Sequence, residues 1–563
     1  MLASMHRNRA LSWTIAALAQ EAGVSRSALA LRFLHYLNEP LMAYLPRWHL
    51  HASALLLILA FPECTVQRLW RIGRAPTPRP RRSNALDFSM LSLYYDLLRL
   101  LLLNYMAGWN EDISSSRQKL ILNQQREDPS TRLRDALRGN RQSETGGIYA
   151  VCSAHPTVIE AAVQQSLEDG SILLVESTSS QVNQFGGYTG LTPSEFAKFV
   201  HSTARSTGLP TERVLLGGDH MGPFPWRQEA SASALRKAAE LVRDCVVAGY
   251  KKIHLDASMP CGDDEKGSFT EQTIAHRAAV LCQAAEKAYR ELPSDSPQVV
   301  YVIGTEVPAP GGESVDAHSP AVTKAEDAHR TLETFRFAFE ELDLSSVWER
   351  VIALVVQPGV DFGSDSIFDY DRGKARSLSA ALSKHPGIVF EAHSTDYQSP
   401  QALARMVEDH FAILKVGPWL TFAYREAVLA LSAIERELHA SRSEHETSRV
   451  RETLEAAMLR DPAYWRSYYH GDENEVCRDL IYGYSDRCRY YWNRPAVQEE
   501  ISRLFENLGD KPIPLTLISQ YLPLEYEVIR SGELQAVPER LIGYHIRRVL
   551  RVYAAACSVK QRA

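Results

Sequence analysis

An Asp–His pair, a glutamate and a second histidine close three separate apolar runs of this sequence. Asp219 and His220 end VLLGGDH (214–220), Glu306 ends VVYVIGTE (299–306), and His393 lies in GIVFEAHS (387–394). Two imidazoles and a carboxylate form a common divalent-metal set that leaves positions open for a substrate. His220, Glu306 and His393 are therefore the expected ligands. Zinc suits these donor types, and manganese or magnesium would suit an oxygen-richer site. Asp219 precedes a ligand, so its carboxylate points elsewhere and is available for acid/base work. Asp256, in KIHLDAS (252–258), is the second catalytic candidate and could also bind a sugar hydroxyl. Such a set would polarise the carbonyl and hydroxyl of a ketose and stabilise an enediolate. Proton removal one carbon further on would then break a C–C bond. Release of the aldehyde is aldol cleavage; rotation and re-closure is epimerisation.

Further residues at the ends of these runs are expected to hold substrate. They are Ser153, Glu176, Gln184, Gln357, Asp396 and Gly417. Gln184 heads QFGGYTG (184–190), which could wrap an anion with backbone N–H groups or be an ordinary flexible loop. Gly417 lies in VGP (416–418), at the end of the last run, where barrel phosphate sites often form. His155 stands before Pro156 and reads as a helix cap or substrate contact. His254 reads as a buried, hydrogen-bonded histidine one layer deeper. Lys415 reads as a salt-bridged or solvated lysine in preference to a Schiff-base lysine.

These residues need elements that bring them to one face. Eight apolar runs fall at 147–155, 172–178, 214–220, 252–258, 299–306, 351–359, 387–394 and 411–418. Each is rich in Val, Ile and Leu and too short for a helix, as for strands buried on both faces of a parallel sheet. The stretches between are long enough for crossover helices; 238–251, for example, has helical spacing and ends near a glycine. Strand–helix alternation of this kind specifies an α/β protein, a (β/α)8 TIM barrel, with its chemistry at the carboxyl ends of the strands. A short helix at 131–143 is expected to close the amino end, and 421–440 to be the eighth barrel helix. The domain expectation is a helix-turn-helix segment at 1–60, a basic linker and amphipathic helix at 61–130, the barrel at 131–440, and a helical, aromatic-rich region at 441–563 packing on it.

The composition, 45% hydrophobic and 23% charged, is ordinary for a soluble protein. A net charge of −6 argues against whole-protein nucleic-acid binding. The eight cysteines contain no CxxC pair, which argues against a zinc ribbon and fits a reducing cytoplasm. The apolar stretch 86–108 carries Asp87, Asp96 and Arg99, charges too costly for a lipid span, so no membrane role is expected. The aromatic segments after residue 461 need a partner surface, the barrel or another subunit, and an oligomer is expected.

Two family resemblances follow from these segments. LAQEAGVSRSALALRF with PLMAYLPRW resembles the first helix-turn-helix of AraC-type regulators, in which Ser25, Arg26 and Ser27 would face the major groove. The second unit of that module is missing. The segment is therefore expected to be a remnant, a start near Met106 would give an ordinary-length family member, and DNA is a partner only if the segment functions. Separately, GIYAVCSAHP, QVNQFGGYTGLTP, LGGDHMGP, KKIHLDASM, YVIGTEVPAPGG, FEAHSTDYQ, HFAILKVGP and YSDRCRYYW are similar to the Z-type subunit of class II D-tagatose-1,6-bisphosphate aldolase, from about Thr131 to Ala556. That resemblance implies a TIM barrel in galactitol or N-acetylgalactosamine catabolism. It also implies a non-catalytic subunit that supports the activity and stability of a separate catalytic class II aldolase subunit. Some related proteins are described as ketose-phosphate 4-epimerases acting on tagatose 6-phosphate or fructose 6-phosphate. Three readings stand: an aldolase subunit, a metal-dependent 4-epimerase, and a DNA-binding regulator that senses a sugar phosphate.

Overall fold

The eight apolar runs form eight parallel strands of one closed barrel in the computed structural model, which describes residues 129–142, 146–265, 269–305, 320–439 and 447–558. The strands are β1 (Ile148–Val151), β2 (Leu173–Thr178), β3 (Val214–Met221), β4 (Lys252–Leu255), β5 (Val300–Ile303), β6 (Val351–Val356), β7 (Val389–Ala392) and β8 (Phe411–Val416). They pair in chain order, and β8 closes on β1 with Val416 opposite Val151. A two-stranded ribbon, Asp361–Phe362 with Ile367–Phe368, follows β6.

A helix, α1 (Pro129–Arg141), precedes the barrel. The helices α2 (Pro156–Asp169), α3 (Pro193–Thr207), α4 (Ser231–Val247), α5 (Glu271–Arg290), α6 (Ala325–Glu341), α7 (Arg372–Ala381), α8 (Pro400–Glu408) and α9 (Pro418–Leu438) follow successive strands. Local chemistry sets their ends. In α3, Thr192 accepts from Glu195 N while the Glu195 side chain accepts from Thr192 N, Pro193 opens the first turn, and Gly208 at φ 89° stops the helix. The helix expected over 238–251 begins seven residues earlier, at Ser231, and ends at Val247, just before Gly249 at φ 97°.

The barrel interior is layered. Its lower part is apolar: Ile148, Leu174, Leu215, Val300, Val302 and Ile413 form one cluster, into which α1 inserts Leu133 and Leu137. Strand alternation then decides what lies above. Lys252 and His254 share one face of β4 and stand opposite Val300 and Val302 of β5, so both point inward. The upper interior is accordingly charged, with Glu176, Lys252, Glu391 and Lys415 all 4% exposed or less.

The C-terminal region adds α10 (Val450–Arg460), α11 (Glu473–Tyr482), α12 (Pro495–Leu508), α13 (Leu515–Tyr521), α14 (Tyr526–Arg530) and α15 (Pro538–Cys557). Its aromatic residues pack on the barrel helices. Trp492 is buried, with its ring 5.2 Å from that of Tyr424 on α9. The helix α15 lies against α2, α8 and α9. His545 of α15 bonds Glu525 through Nδ1 at 2.7 Å and Glu426 of α9 through Nε2 at 3.2 Å. The strap 484–492 is pinned by a buried ion pair, Arg425–Asp486 at 3.0 Å, and by Thr421 Oγ1 donating to Asp486 at 2.6 Å.

Ser25, Arg26 and Ser27, with the whole segment 1–128, lie outside the described residues, as does Glu306. Among the described residues no helix is long and apolar enough to cross a membrane. The cysteines among them are free thiols.

Candidate functional site

The strands deliver their carboxyl-terminal residues to a cavity of about 600 Å3. Asp219, His220, His393 and Lys415 line its floor, and Tyr464, Tyr468, Arg487, Arg489 and Tyr490 from the C-terminal region form a second wall.

Under the floor lies a network of three carboxylates and two lysines. Lys252 Nζ bridges Glu176 Oε1 and Glu391 Oε2, each at 2.6 Å. Lys415 Nζ lies 2.8 Å from Asp219 Oδ1 and 3.5 Å from Glu391 Oε1, and also bonds Glu176 Oε2. Isolated charges at this depth would be very costly, so each is stabilised only by its partners. Burial works against the charge of Lys415, yet Asp219, Glu176 and Glu391 hold its amine well above the usual range. Burial likewise opposes ionisation of Asp219 and Glu391; Lys415 leads the groups that hold Asp219 low, and Lys252 those that hold Glu391 low. A protonated Lys415 has no lone pair for a Schiff base, in agreement with its reading as a salt-bridged lysine. The glycine Gly217 has its place here. A Cβ on it would lie 2.7 Å from Glu176 Oε1, so it makes room for a neighbouring strand's carboxylate.

Three histidines gather above this network. The ring centres of His220, His254 and His393 are 4.9 to 5.3 Å apart. His254 Nδ1 is 3.1 Å from Asp219 Oδ1, while its Nε2 is buried and has no hydrogen-bond partner among the described residues. His393 Nε2 is 3.1 Å from Glu391 Oε1, and burial pushes its pKa down to about 4, leaving a neutral imidazole. His220 sits at φ 47°, in the left-handed region, and its Nδ1 is 2.8 Å from Asp256 Oδ2. Burial opposes the charged form of His220, but Asp219 and Asp256 raise its pKa.

Ligand atoms of Asp219, His254, Glu391 and His393 all lie within 4.8 Å of one another, so this buried group could hold a metal ion. A neutral His393 and an unpartnered His254 nitrogen suit such a role. The set differs from the expected His220, Glu306 and His393. His393 belongs to it. His220 stands beside it with one nitrogen engaged by Asp256, and Glu306 is outside the described residues. His254 and Glu391 are donors that the sequence reading did not select. Their signal was the i, i+2 spacing of Lys252 with His254 and of Glu391 with His393, which puts each pair on one strand face. An ion here would share Asp219 with the ammonium of Lys415.

The expected substrate residues divide. Glu176 is committed to both lysines. Gln357 Oε1 accepts from the backbone N–H of Gly359 and Val360, folding onto its own turn. Gln184 donates to Lys237 O. Ser153 is buried, and its Oγ accepts from His155 N. Asp396 and Gly417 do line the cavity, but Asp396 Oδ1 accepts from Gly417 N at 3.0 Å and Trp419 N at 2.8 Å, capping the start of α9. Burial pushes the Asp396 pKa up to about 6 against those two N–H groups. His155 makes no side-chain cap bond; its ring packs on Tyr424 at 4.2 Å.

The family model for the D-tagatose-1,6-bisphosphate aldolase subunit, GatZ/KbaZ-like, matches residues 133–558. A crystal structure described as a probable tagatose 6 phosphate kinase from Sinorhizobium meliloti 1021 is 42% identical, over 73% of this chain and 100% of that one, with a TM-score of 0.67. The YdjI aldolase from Escherichia coli K12 is 10% identical over 66% of this chain and 96% of that one, with a TM-score of 0.33. A fructose-bisphosphate aldolase from Campylobacter jejuni is 13% identical over 68% and 95%, with a TM-score of 0.34. Those last two likenesses are too weak to bear on function.

Proposed function

Because the chain belongs to the GatZ/KbaZ-like family of D-tagatose-1,6-bisphosphate aldolase subunits, we propose that it binds a ketose phosphate in the barrel-mouth cavity and supports a catalytic class II aldolase subunit, sustaining that partner's activity and stability. The setting would be galactitol or N-acetylgalactosamine catabolism. One observation supports a supporting role over independent cleavage. Asp219, the carboxylate best placed to act as base, is held by Lys415 at 2.8 Å and by His254 at 3.1 Å, well below the usual carboxylate range. A carboxylate so stabilised is a poor proton acceptor near neutral pH.

A divalent ion held by Asp219, His254, Glu391 and His393, with zinc suited to the donors, would supply Lewis-acid polarisation of a sugar carbonyl. The remaining groups position and exclude. Asp256 orients His220 through Nδ1, and Asp396 ties the start of α9 to the end of β8.

The test combines the purified chain with a catalytic class II aldolase and follows cleavage of tagatose 1,6-bisphosphate. The expected result is co-purification, a longer half-life of the aldolase on warming, and no cleavage by this chain alone. Chelator-sensitive turnover of tagatose 6-phosphate or fructose 6-phosphate by the isolated chain would overturn this in favour of the epimerase reading.

A further inference from the structure

The structure also points to where the phosphate of such a ligand is held. The two places that the sequence nominates for an anion have most of their N–H groups engaged already. In QFGGYTG, Gly186 N donates to Asn183 O, Gly187 N to Asn183 Oδ1, Tyr188 N to Ser180 O and Thr189 N to Gln181 O. At the start of α9, Gly417 N and Trp419 N both donate to Asp396, whose carboxylate already takes the place an anion would have at that helix terminus. The floor cation Lys415 is surrounded by carboxylates.

The strap brings two further cations to the cavity, Arg487, which is buried, and Arg489, which is half-buried. The Arg489 guanidinium stands 4.5 Å from the Tyr490 ring centre and donates to Tyr490 Oη at 2.9 Å and to Asp486 O at 3.0 Å. Among the described residues no carboxylate forms an ion pair with it. Arg487 is 2% exposed, lies 3.2 Å from the Tyr468 ring centre and reaches Tyr490 Oη at 3.4 Å. Two guanidinium groups thus converge on one phenol oxygen. Burial raises the pKa of Tyr490, yet Arg489 and then Arg487 draw it below the ordinary value. Tyr490 is itself fixed by parallel stacking on Tyr464, ring centres 4.6 Å apart, with Tyr188 edge-on at 4.7 Å.

We propose that Arg487, Arg489 and Tyr490 form an anion subsite that grips the phosphate group of the cavity's ligand. The chemistry favours it: guanidinium forks match phosphate oxygens in bidentate geometry, and Arg489, half-buried and without a carboxylate ion pair among the described residues, gains from an anion that balances its charge. This subsite rests on the ligand-binding reading of the cavity and adds an orientation. The phosphate lies at the strap and the sugar carbonyl faces the floor residues Asp219, His220 and His393. It selects phosphorylated ketoses over free ones.

Inorganic phosphate is the direct probe, titrated calorimetrically into the full chain. Wild type should bind it, R489M should bind about tenfold more weakly or worse, and R489K should fall between, because charge without the fork recovers part of the interaction. Zinc binding should be unchanged in R489M, which separates loss of the subsite from loss of the floor. Should R489M fail to fold, phenylglyoxal labelling of wild type replaces it. Phosphate should then slow modification of Arg489 as read by peptide mass. No phosphate binding by wild type, equal affinity in R489M, or labelling indifferent to phosphate would each overturn the proposal. An inactive aldolase mixture alongside normal phosphate binding would count against the supporting role alone.

Discussion

Lys415 and a metal ion make opposite claims on Asp219. With the lysine in place, three carboxylates face two ammonium groups. Lys415→Met leaves that charge uncompensated, at a cost of about 3–5 kcal/mol in the ion-free protein. Its melting temperature should fall, be recovered by zinc, and its zinc affinity by calorimetry should exceed that of wild type by about tenfold or more. Equal affinity in the two proteins would show that the lysine and the ion do not compete. His254→Ala removes a buried imidazole of the candidate ligand group whose Nε2 lacks a hydrogen-bond partner among the described residues, and should weaken zinc binding about 10- to 100-fold, read in the same titration. Asp219, His220 and His393 were legible in the sequence because strand ends of a parallel barrel gather at one mouth. His254 and Glu391 were harder. Alternation says which face a residue takes, not which residue across the barrel it meets, and the Lys252 bridge joins residues from three strands far apart in the chain.

The strand elements were readable because complete burial leaves an apolar run with few alternatives. Helix limits were less so: α4 begins at Ser231, and its first turn, Ser and Ala only, contributes just the small buried Ala234 to the apolar stripe by which a helix is recognised. The strap 484–492 illustrates a limit of another kind. Its aromatic content announced packing, but its function in lining the cavity depends on Asp486 meeting Arg425 of α9, sixty-one residues earlier in the chain. Asp486→Asn breaks that buried pair and should lower stability by about 3–5 kcal/mol, measured by urea denaturation at neutral pH. A change below about 1 kcal/mol would mean that the strap is held by its rings alone.

The whole molecule carries a pH dependence set away from the cavity. His545 joins α15 to α9 and to Glu525, and although burial lowers its pKa, Glu426 and Glu525 raise it to about 9. The folded protein therefore binds this proton more tightly than the unfolded chain does. The resulting stability is complete below about pH 6.5 and is lost as pH rises through about 9. Allowing for the exposed Glu426, the loss is about 2 kcal/mol. Thermal melts should show wild type weakening between pH 7 and 10 and His545→Gln lacking that slope; parallel curves would refute the linkage. The overall architecture was the most legible level of all, since alternation of strand and helix repeats eight times. The C-terminal cover was not, since nothing in its local pattern states which mouth of the barrel it closes.

The final helix returns to the first strand, where Gly147 N donates to Cys557 O. During synthesis all eight staves therefore leave the ribosome before either the strap or this closing contact exists. The last strand ends at Val416 and that helix ends at Cys557, so a barrel formed on the ribosome would lack its cover until more than a hundred further residues had been made. Chaperone dependence, premature termination and C-terminal trimming would all act on that interval: a shortened product could keep its staves and still lack a finished chamber.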